Sequence, residues 1–276
     1  MDLDALKAMY DFSGRTFFVT GGSGILGGEI ARALAGLNAN TVILDRSVTS
    51  AEGIQERRGE TATLYAIGAD VLDLGSLRRA EAAITERFGK VDGLVNAAGG
   101  NRPQATTSRD VSFFDLPADA LRWVFDLNIM GTILPCQVFA KGMAERGDGV
   151  ILNFSSMNGF RPLTRIAAYS AAKAGINNFT QWLAVHMAQN YSGNIRVNAI
   201  APGFFLTKQN EFLLTDARTG GLTERGQLIA SHTPMGRFGK PEDLVGAAMW
   251  LLSPASSFVT GIVVPVDGGF SAFSGV

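Results

Sequence analysis

The chain is poor in the residues that most often advertise chemistry. One cysteine, Cys136, stands in 276 residues, which excludes an internal disulfide and suits a reducing cytoplasm. Flanked by Leu-Pro and Gln-Val-Phe, it reads as core packing rather than as a nucleophile. Only two histidines occur, His186 and His232, and both read as packing or surface residues. No group of His, Cys and carboxylates has ligand spacing, so no metal is expected. Charge of one sign is lacking too. A net charge of −1 gives no electrostatic basis for binding nucleic acid or an anionic membrane. No apolar run approaches the ~20 residues that span a bilayer. The mixed, acidic start Met1 to Gly14 lacks the basic-then-apolar order of a signal peptide. Repeats and linker-like tracts are absent, so the whole of 1–276 is expected to be a single domain.

What is abundant is alternation. Short apolar, β-branched runs at Thr16–Thr20, Thr41–Leu44, Thr63–Gly68, Gly93–Asn96, Val150–Phe154, Ile195–Ile200 and Ile262–Val266 are separated by helical patterns. Those patterns cover Ile25–Gly36, Leu74–Phe88, a long stretch over Ala118–Glu145, Tyr169–Asn190 and Glu242–Leu252. Strands without in-out alternation, joined through helices, predict a parallel sheet covered on both faces. The expected fold is α/β, Rossmann-like and doubly wound, with seven parallel strands and helices on both faces. Its ligands would sit beyond the carboxyl ends of the strands. The interval 204–237 breaks the rhythm, with only a short helical stretch near Leu222–Ile229, and reads as a substrate lid.

The first strand ends in Thr20-Gly21-Gly22-Ser23-Gly24-Ile25-Leu26-Gly27 and runs into a helix. Such a turn lets backbone N–H groups approach a pyrophosphate, which the helix N-terminus also attracts. The second strand ends in Asp45, whose carboxylate can accept both ribose hydroxyls of NAD and would repel the 2′-phosphate of NADP. Arg46 beside it could accommodate that phosphate, so NAD is the expectation and NADP stays open.

Tyr169 and Lys173 are four residues apart in a helical pattern and so share one face. An ammonium beside a phenol favours the phenolate. Lowering the tyrosine pKa by about three units would need roughly 4 kcal/mol of differential stabilisation. A lone pair of this kind is usually just an exposed helix face; the surrounding motifs decide otherwise.

Taken in order, these motifs resemble the short-chain dehydrogenase/reductase family over nearly the whole chain. Asn96-Ala97-Ala98-Gly99 resembles its sheet-stabilising, cofactor-lining motif, and Asp70-Val71 the pair that meets the adenine. Pro202-Gly203, with Phe205 and Thr207 beyond, resembles the segment holding the nicotinamide and its phosphate. Asn128 and Ser156 fall where the family places catalytic partners of Tyr169 and Lys173. One departure is the nucleotide loop, where the middle glycine comes one residue early, at Gly24, with Ile25 following.

The resemblance implies hydride transfer between nicotinamide and a carbonyl or secondary alcohol. Tyr169 would exchange the proton, and Ser156 would donate a hydrogen bond to the substrate oxygen. Lys173 would lower the tyrosine pKa and hold the ribose, while Asn128 would position a water that links Lys173 to solvent. Tetramers or dimers formed through the two long helices are also implied. Phe270–Val276 is expected to dock on a neighbouring subunit.

Within the family, Asn96 to Asn101, Ser155-Ser-Met-Asn-Gly159, Asn178 to His186 and the ending Val266 to Val276 resemble the branch that interconverts D-fructuronate and D-mannonate. A small polyhydroxylated acid needs a cationic clamp and hydrogen-bonding side chains. Asn101, Arg102, Asn158, Arg161 and Arg165 are the candidates, with Lys208, Gln209 and Asn210 opening the lid. Arg102, Arg161 or Arg165 would grip the carboxylate. A reductase of another keto-sugar acid such as 5-ketogluconate, a ketoacyl-thioester reductase and an idle nucleotide-binding regulator remain as alternatives.

Overall fold

The computed structural model describes residues 2–48, 55–58, 63–206, 214–216 and 219–275. Eight strands are present: β1 (Thr16–Thr20), β2 (Asn40–Asp45), β3 (Gln55–Arg58), β4 (Thr63–Gly68), β5 (Gly93–Asn96), β6 (Gly149–Phe154), β7 (Ile195–Pro202) and β8 (Val263–Val266). They form one sheet in the order β3-β4-β2-β1-β5-β6-β7-β8. Seven are parallel, as the pattern predicts. The eighth, β3, runs antiparallel to β4 at the sheet's edge. Gln-Glu-Arg-Arg carries no apolar or β-branched residue, so nothing in its sequence signals a strand.

Among the described residues the helices are α1 (Leu3–Ala8), α2 (Ile25–Gly36), α3 (Leu74–Phe88), α4 (Ala118–Phe125), α5 (Gly131–Arg146), α6 (Ala167–Asn190), α7 (Glu224–His232) and α8 (Val245–Leu252). The central strands are buried throughout, because apolar layers cover both faces. Ile30 and Leu34 of α2 pack with Met249 and Leu252 of α8 on one side. Leu77 and Ile84 of α3, Phe139 and Met143 of α5, and Met187 of α6 fill the other.

After β1 the chain builds outward through β2 and β4, then crosses back to place β5 on the other side of β1. Thr20 thereby pairs with both Leu44 and Asn96. A crevice opens at this reversal, beyond the carboxyl ends of β1 and β5, and the site lies there.

The expected long helix is really two. A π-turn, Asp126–Met130, separates α4 from α5 and carries Asn128 inward. The whole helical stretch Ala118–Arg146 is, by length and composition, apolar enough to cross a bilayer, which the sequence reading missed. Cys136, Phe139 and Met143 on it are buried in the core, so packing against the sheet accounts for part of that apolar character. Helix α1 has no buried residue and so leaves no amphipathic trace in the sequence.

Arg196, 8% exposed in β7, reaches the far end of α8. Its guanidinium donates to the carbonyls of Leu251 and Ser253 at 2.7 and 3.1 Å and to the Ser256 hydroxyl at 2.8 Å. A cation there meets the negative end of the helix dipole and satisfies carbonyls that have no intrahelical partner.

The last segment meets its own chain. Phe270 packs edge-on against Phe204 at 5.3 Å, and Phe273 lies 6.4 Å from the ring of His232 on α7. The tail therefore lies against both ends of the same chain's 204–237 interval, where partner rings were already available.

Candidate active site

A cleft of about 620 Å³ lies over the switch point. One wall is the loop between β1 and α2. Gly21 has φ +65°, and a Cβ there would fall 2.8 Å from the Ala98 backbone. Gly27 is equally tight, since a Cβ would come 2.7 Å from the Gly21 carbonyl. Gly21, Ser23, Gly24, Ile25 and Leu26 all line the cleft. The result is a bare backbone cradle at a helix N-terminus, which fits a pyrophosphate.

Asp45 ends β2 beside this loop. One of its oxygens accepts the Ser23 N–H at 3.3 Å, and the other accepts the N–H and hydroxyl of Ser47, each at 2.9 Å. Arg46 also lines the cleft, with its guanidinium 3.7 Å from Asp70. Val71 lines the cleft, whereas the Asp70 carboxylate accepts the Leu72 N–H at 2.9 Å. Ala97, Ala98 and Gly99 form the floor, and Pro202, Gly203 and Phe205 the far wall. Thr207 lies outside the described residues, as do Lys208, Gln209 and Asn210.

Asn96 is a correction to the cofactor set. It is 1% exposed, and its amide donates to Asn153 at 2.9 Å and to the Cys136 sulfur at 3.2 Å. Asn153 in turn donates to Thr180 at 2.9 Å. Asn96 thus ties β5 to β6 and, through Asn153, to α6, beneath the cleft rather than in it.

Ser156, Tyr169 and Lys173 come together on the cleft wall. Lys173 is buried on α6 and donates to the Phe154 carbonyl at 2.7 Å, with its Nζ 5.6 Å from the centre of the Tyr169 ring. Burial pulls the Lys173 ammonium down to about 8. The expected depression of the tyrosine is not found. Burial holds the Tyr169 phenol above its ordinary value, and a hydrogen bond with Ser156 offsets only part of this. Desolvation opposes the phenolate more than the Ser156 hydrogen bond favours it.

Asn128 comes from the π-turn. It is fully buried and clasps a backbone. Its amide donates to the carbonyls of Gly100 and Val124 at 2.7 and 2.8 Å, and its oxygen accepts the Gly100 N–H at 3.1 Å. With both amide hydrogens committed, the residue fixes the loop beside Lys173.

The substrate candidates separate. Arg102 stacks on Trp123, its guanidinium 5.1 Å from the indole centre, and donates to Gln104 at 3.2 Å. Asn101 donates to Thr106 at 2.9 Å and leaves its buried Oδ1 without a partner. Arg161 is exposed. Arg165 is exposed too, with φ +76°, and its carbonyl accepts the Thr107 N–H at 2.9 Å. Asn158 is buried and hydrogen-bonds within the protein, so it is corrected from a substrate contact to part of the scaffold.

A family model described as enoyl-(acyl carrier protein) reductase matches residues 21–271. The chain belongs to the short-chain dehydrogenase/reductase family. Among relatives of this short-chain dehydrogenase/reductase, the uncharacterized oxidoreductase UxuB of Bacillus subtilis is 47% identical, over 96% of this chain and 98% of that one. A crystal structure from Haemophilus influenzae, provisionally assigned as a D-mannonate oxidoreductase and holding NAD, is 41% identical. It superposes with a TM-score of 0.86 over 98% of this chain and 100% of its own. A gluconate 5-dehydrogenase of Burkholderia cenocepacia, in complex with NADP and tartrate, is 31% identical, with a TM-score of 0.83 over 97% and 99%.

Three residues of this short-chain dehydrogenase/reductase went unread in the sequence. Trp123 and Leu127 line the cleft from one helical face, a spacing of four that was legible. Arg225 sits in the first turn of α7, half-buried, and neighbours Arg165. A cation at a helix N-terminus runs against the dipole, and that mismatch was its signal.

Proposed function

We propose that the protein is an NAD-dependent oxidoreductase interconverting a sugar acid and its keto form, with D-mannonate and D-fructuronate as the pair. The observation that carries this reading is that Ser156, Tyr169 and Lys173 share one cleft with the bare glycine loop. When bound, the dinucleotide supplies or accepts the hydride. Its pyrophosphate would lie on the Gly21–Leu26 cradle and its adenosine ribose against Asp45, whose charge disfavours a 2′-phosphate. Lys173 would face the other ribose. Tyr169, kept protonated by burial, gives its proton to the carbonyl oxygen in reduction. Ser156 donates a hydrogen bond to the same oxygen and stabilises the charge developing there.

The acidic end of the substrate is assigned to Arg165 and Arg225. Among the described residues Arg225 has no hydrogen-bond or ion-pair partner. Burial and the like charge of Arg165 both hold its guanidinium below the ordinary value, which is the setting an incoming carboxylate relieves.

Initial rates with fructuronate, 5-ketogluconate and acetoacetyl thioesters, each with NADH and NADPH, test the substrate class. Fructuronate with NADH is expected to give the highest kcat/KM. The gluconate 5-dehydrogenase likeness makes 5-ketogluconate the second reading. Arg225→Ala should raise KM for the acid by about tenfold or more, the worth of one charge-assisted bond, and leave KM for NADH alone. Unchanged sugar-acid kinetics in Arg225→Ala and in Ala variants of Arg102, Arg161 and Arg165 would remove the clamp.

The protein is also assigned as a homotetramer or homodimer. Phe125 and Met130 at the α4–α5 junction, and Trp182 and Val185 on α6, are large apolar residues left exposed on one chain. Light scattering should return a multiple of the 29.3 kDa chain; a monomer would refute the assignment.

A further inference from the structure

Ser156 stands between β6 and a single 3-10 turn, Met157–Gly159. Its hydroxyl oxygen receives two hydrogens, and one residue supplies both. The Asn158 backbone N–H approaches it at 3.3 Å and the Asn158 side-chain amide at 3.1 Å. A hydroxyl has two acceptor positions and one hydrogen to give. With both acceptor positions filled from the protein side, the hydrogen of Ser156 turns outward into the cleft that Tyr169 also lines.

The orientation of the amide is not free. Its oxygen accepts the Leu163 N–H at 3.2 Å and, more weakly, the Ser170 hydroxyl at 3.5 Å. A backbone N–H can only donate, so the oxygen faces Leu163 and the NH₂ faces Ser156. Asn158 is 7% exposed, which leaves little water to compete. Ser170 follows Tyr169 on α6, so the same amide ties Ser156 to the helical turn that carries the phenol.

We propose that Asn158 is a positioning residue that fixes the polarity of the Ser156 hydroxyl, so that Ser156 donates to the Tyr169 or substrate oxygen and accepts from neither. This rests on the oxidoreductase reading above. In reduction the Tyr169 O–H bond breaks and its proton bonds directly to the substrate oxygen, with the hydride for the carbon coming from the reduced dinucleotide. A relay through Ser156 would require that hydroxyl to accept the tyrosine proton, and its lone pairs are already taken.

Asn158→Asp keeps the shape and reverses the polarity, because a carboxylate oxygen facing Ser156 takes its hydrogen. Expected is a fall in kcat of about a hundredfold, the usual loss when one oxyanion donor is removed, with KM for NADH unchanged. Activity should recover at low pH as the new carboxyl protonates, adding a fall with rising pH in the acid range that the parent profile lacks. Asn158→Ala, which leaves the backbone N–H in place, should lose less. In a Ser156→Ala background neither change should cost more. Parental kcat in Asn158→Asp, or an equal loss without Ser156, overturns the proposal.

Any carbonyl that the parent reduces serves, so a wrong sugar acid leaves the test intact. The ¹³Cζ resonance of Tyr169, one of four tyrosines and assigned through Tyr169→Phe, gives a readout without turnover. It should move in Asn158→Asp and stay put when Ser156 is already alanine. An unmoved resonance in Asn158→Asp also overturns the proposal. Should Asn158→Asp fail to fold, the Asn158→Ala and Ser156→Ala cycle carries the same comparison.

Discussion

Tyr169→Phe is expected to lower kcat for carbonyl reduction by about 10³-fold, within the range usual for a lost general acid, while NADH affinity stays within about twofold of the parent. The ring survives the change and only the phenolic O–H is lost. Because burial raises the phenol's pKa, the group is fully protonated at neutral pH and ready to donate without any prior shift downward. Lys173 then matters for what remains after the proton leaves, a buried phenolate that an ammonium stabilises. That ammonium is itself weakened to about 8. Below this pH Lys173 is charged and Tyr169 neutral, the pair that reduction needs. As pH rises through about 8 the lysine discharges, so kcat/KM for reduction should fall across that interval. Steady-state rates from pH 6 to 10 check the sign. A Tyr169→Phe enzyme as fast as the parent would end the proposed chemistry altogether.

Gly21→Ala should abolish measurable NADH binding, with an expected rise in Kd of about a hundredfold or more and a stability loss of about 1–3 kcal/mol for a non-glycine residue held at positive φ. The new methyl would sit 2.8 Å from the Cα and N of Ala98, backbone atoms with nowhere to go. Either the loop or the Ala97–Ala98 segment after β5 must shift, and both line the cleft. Gly24→Ala is the control. That residue has φ −76° as the cap of α2, and its Cβ would meet only the Gly21 carbonyl, at 3.2 Å. Fluorescence titration with NADH should therefore find a smaller loss in Gly24→Ala than in Gly21→Ala. The early glycine that departs from the family pattern is thus the less constrained of the two, and equal losses in the two variants would overturn this account of the loop.

The architecture was largely legible because fully buried strands advertise themselves. Thr-Phe-Phe-Val-Thr of β1 and Gly-Val-Ile-Leu-Asn-Phe of β6 have no polar side to confuse the reading. What escaped notice had no apolar signature. Strand β3 is Gln-Glu-Arg-Arg, α1 buries nothing, and the π-turn inserts one residue into a helix whose apolar pattern continues on both sides. The Tyr169 and Lys173 pair was readable from spacing and Ser156 from the family resemblance, whereas the sorting of asparagines was not. Asn96, Asn128 and Asn158 look alike in a sequence, and only burial reveals that all three spend their amides on the protein. The sign of the tyrosine shift was also beyond a one-dimensional reading, since it depends on how much water the fold removes. Arg225 escaped because it lies 60 residues beyond Arg165, and only the fold brings the two charges near each other.

The solitary thiol has a use that follows from where it sits. Cys136 is 4% exposed between α5 and β5, donated to by Asn96, and burial pushes its pKa up to about 12. An alkylating reagent needs the thiolate and a path to it, and the native packing denies both. Modification of Cys136 would therefore proceed only through excursions that part helix from sheet, so the wild-type chain carries its own chemical clock for global opening, with no engineered label required.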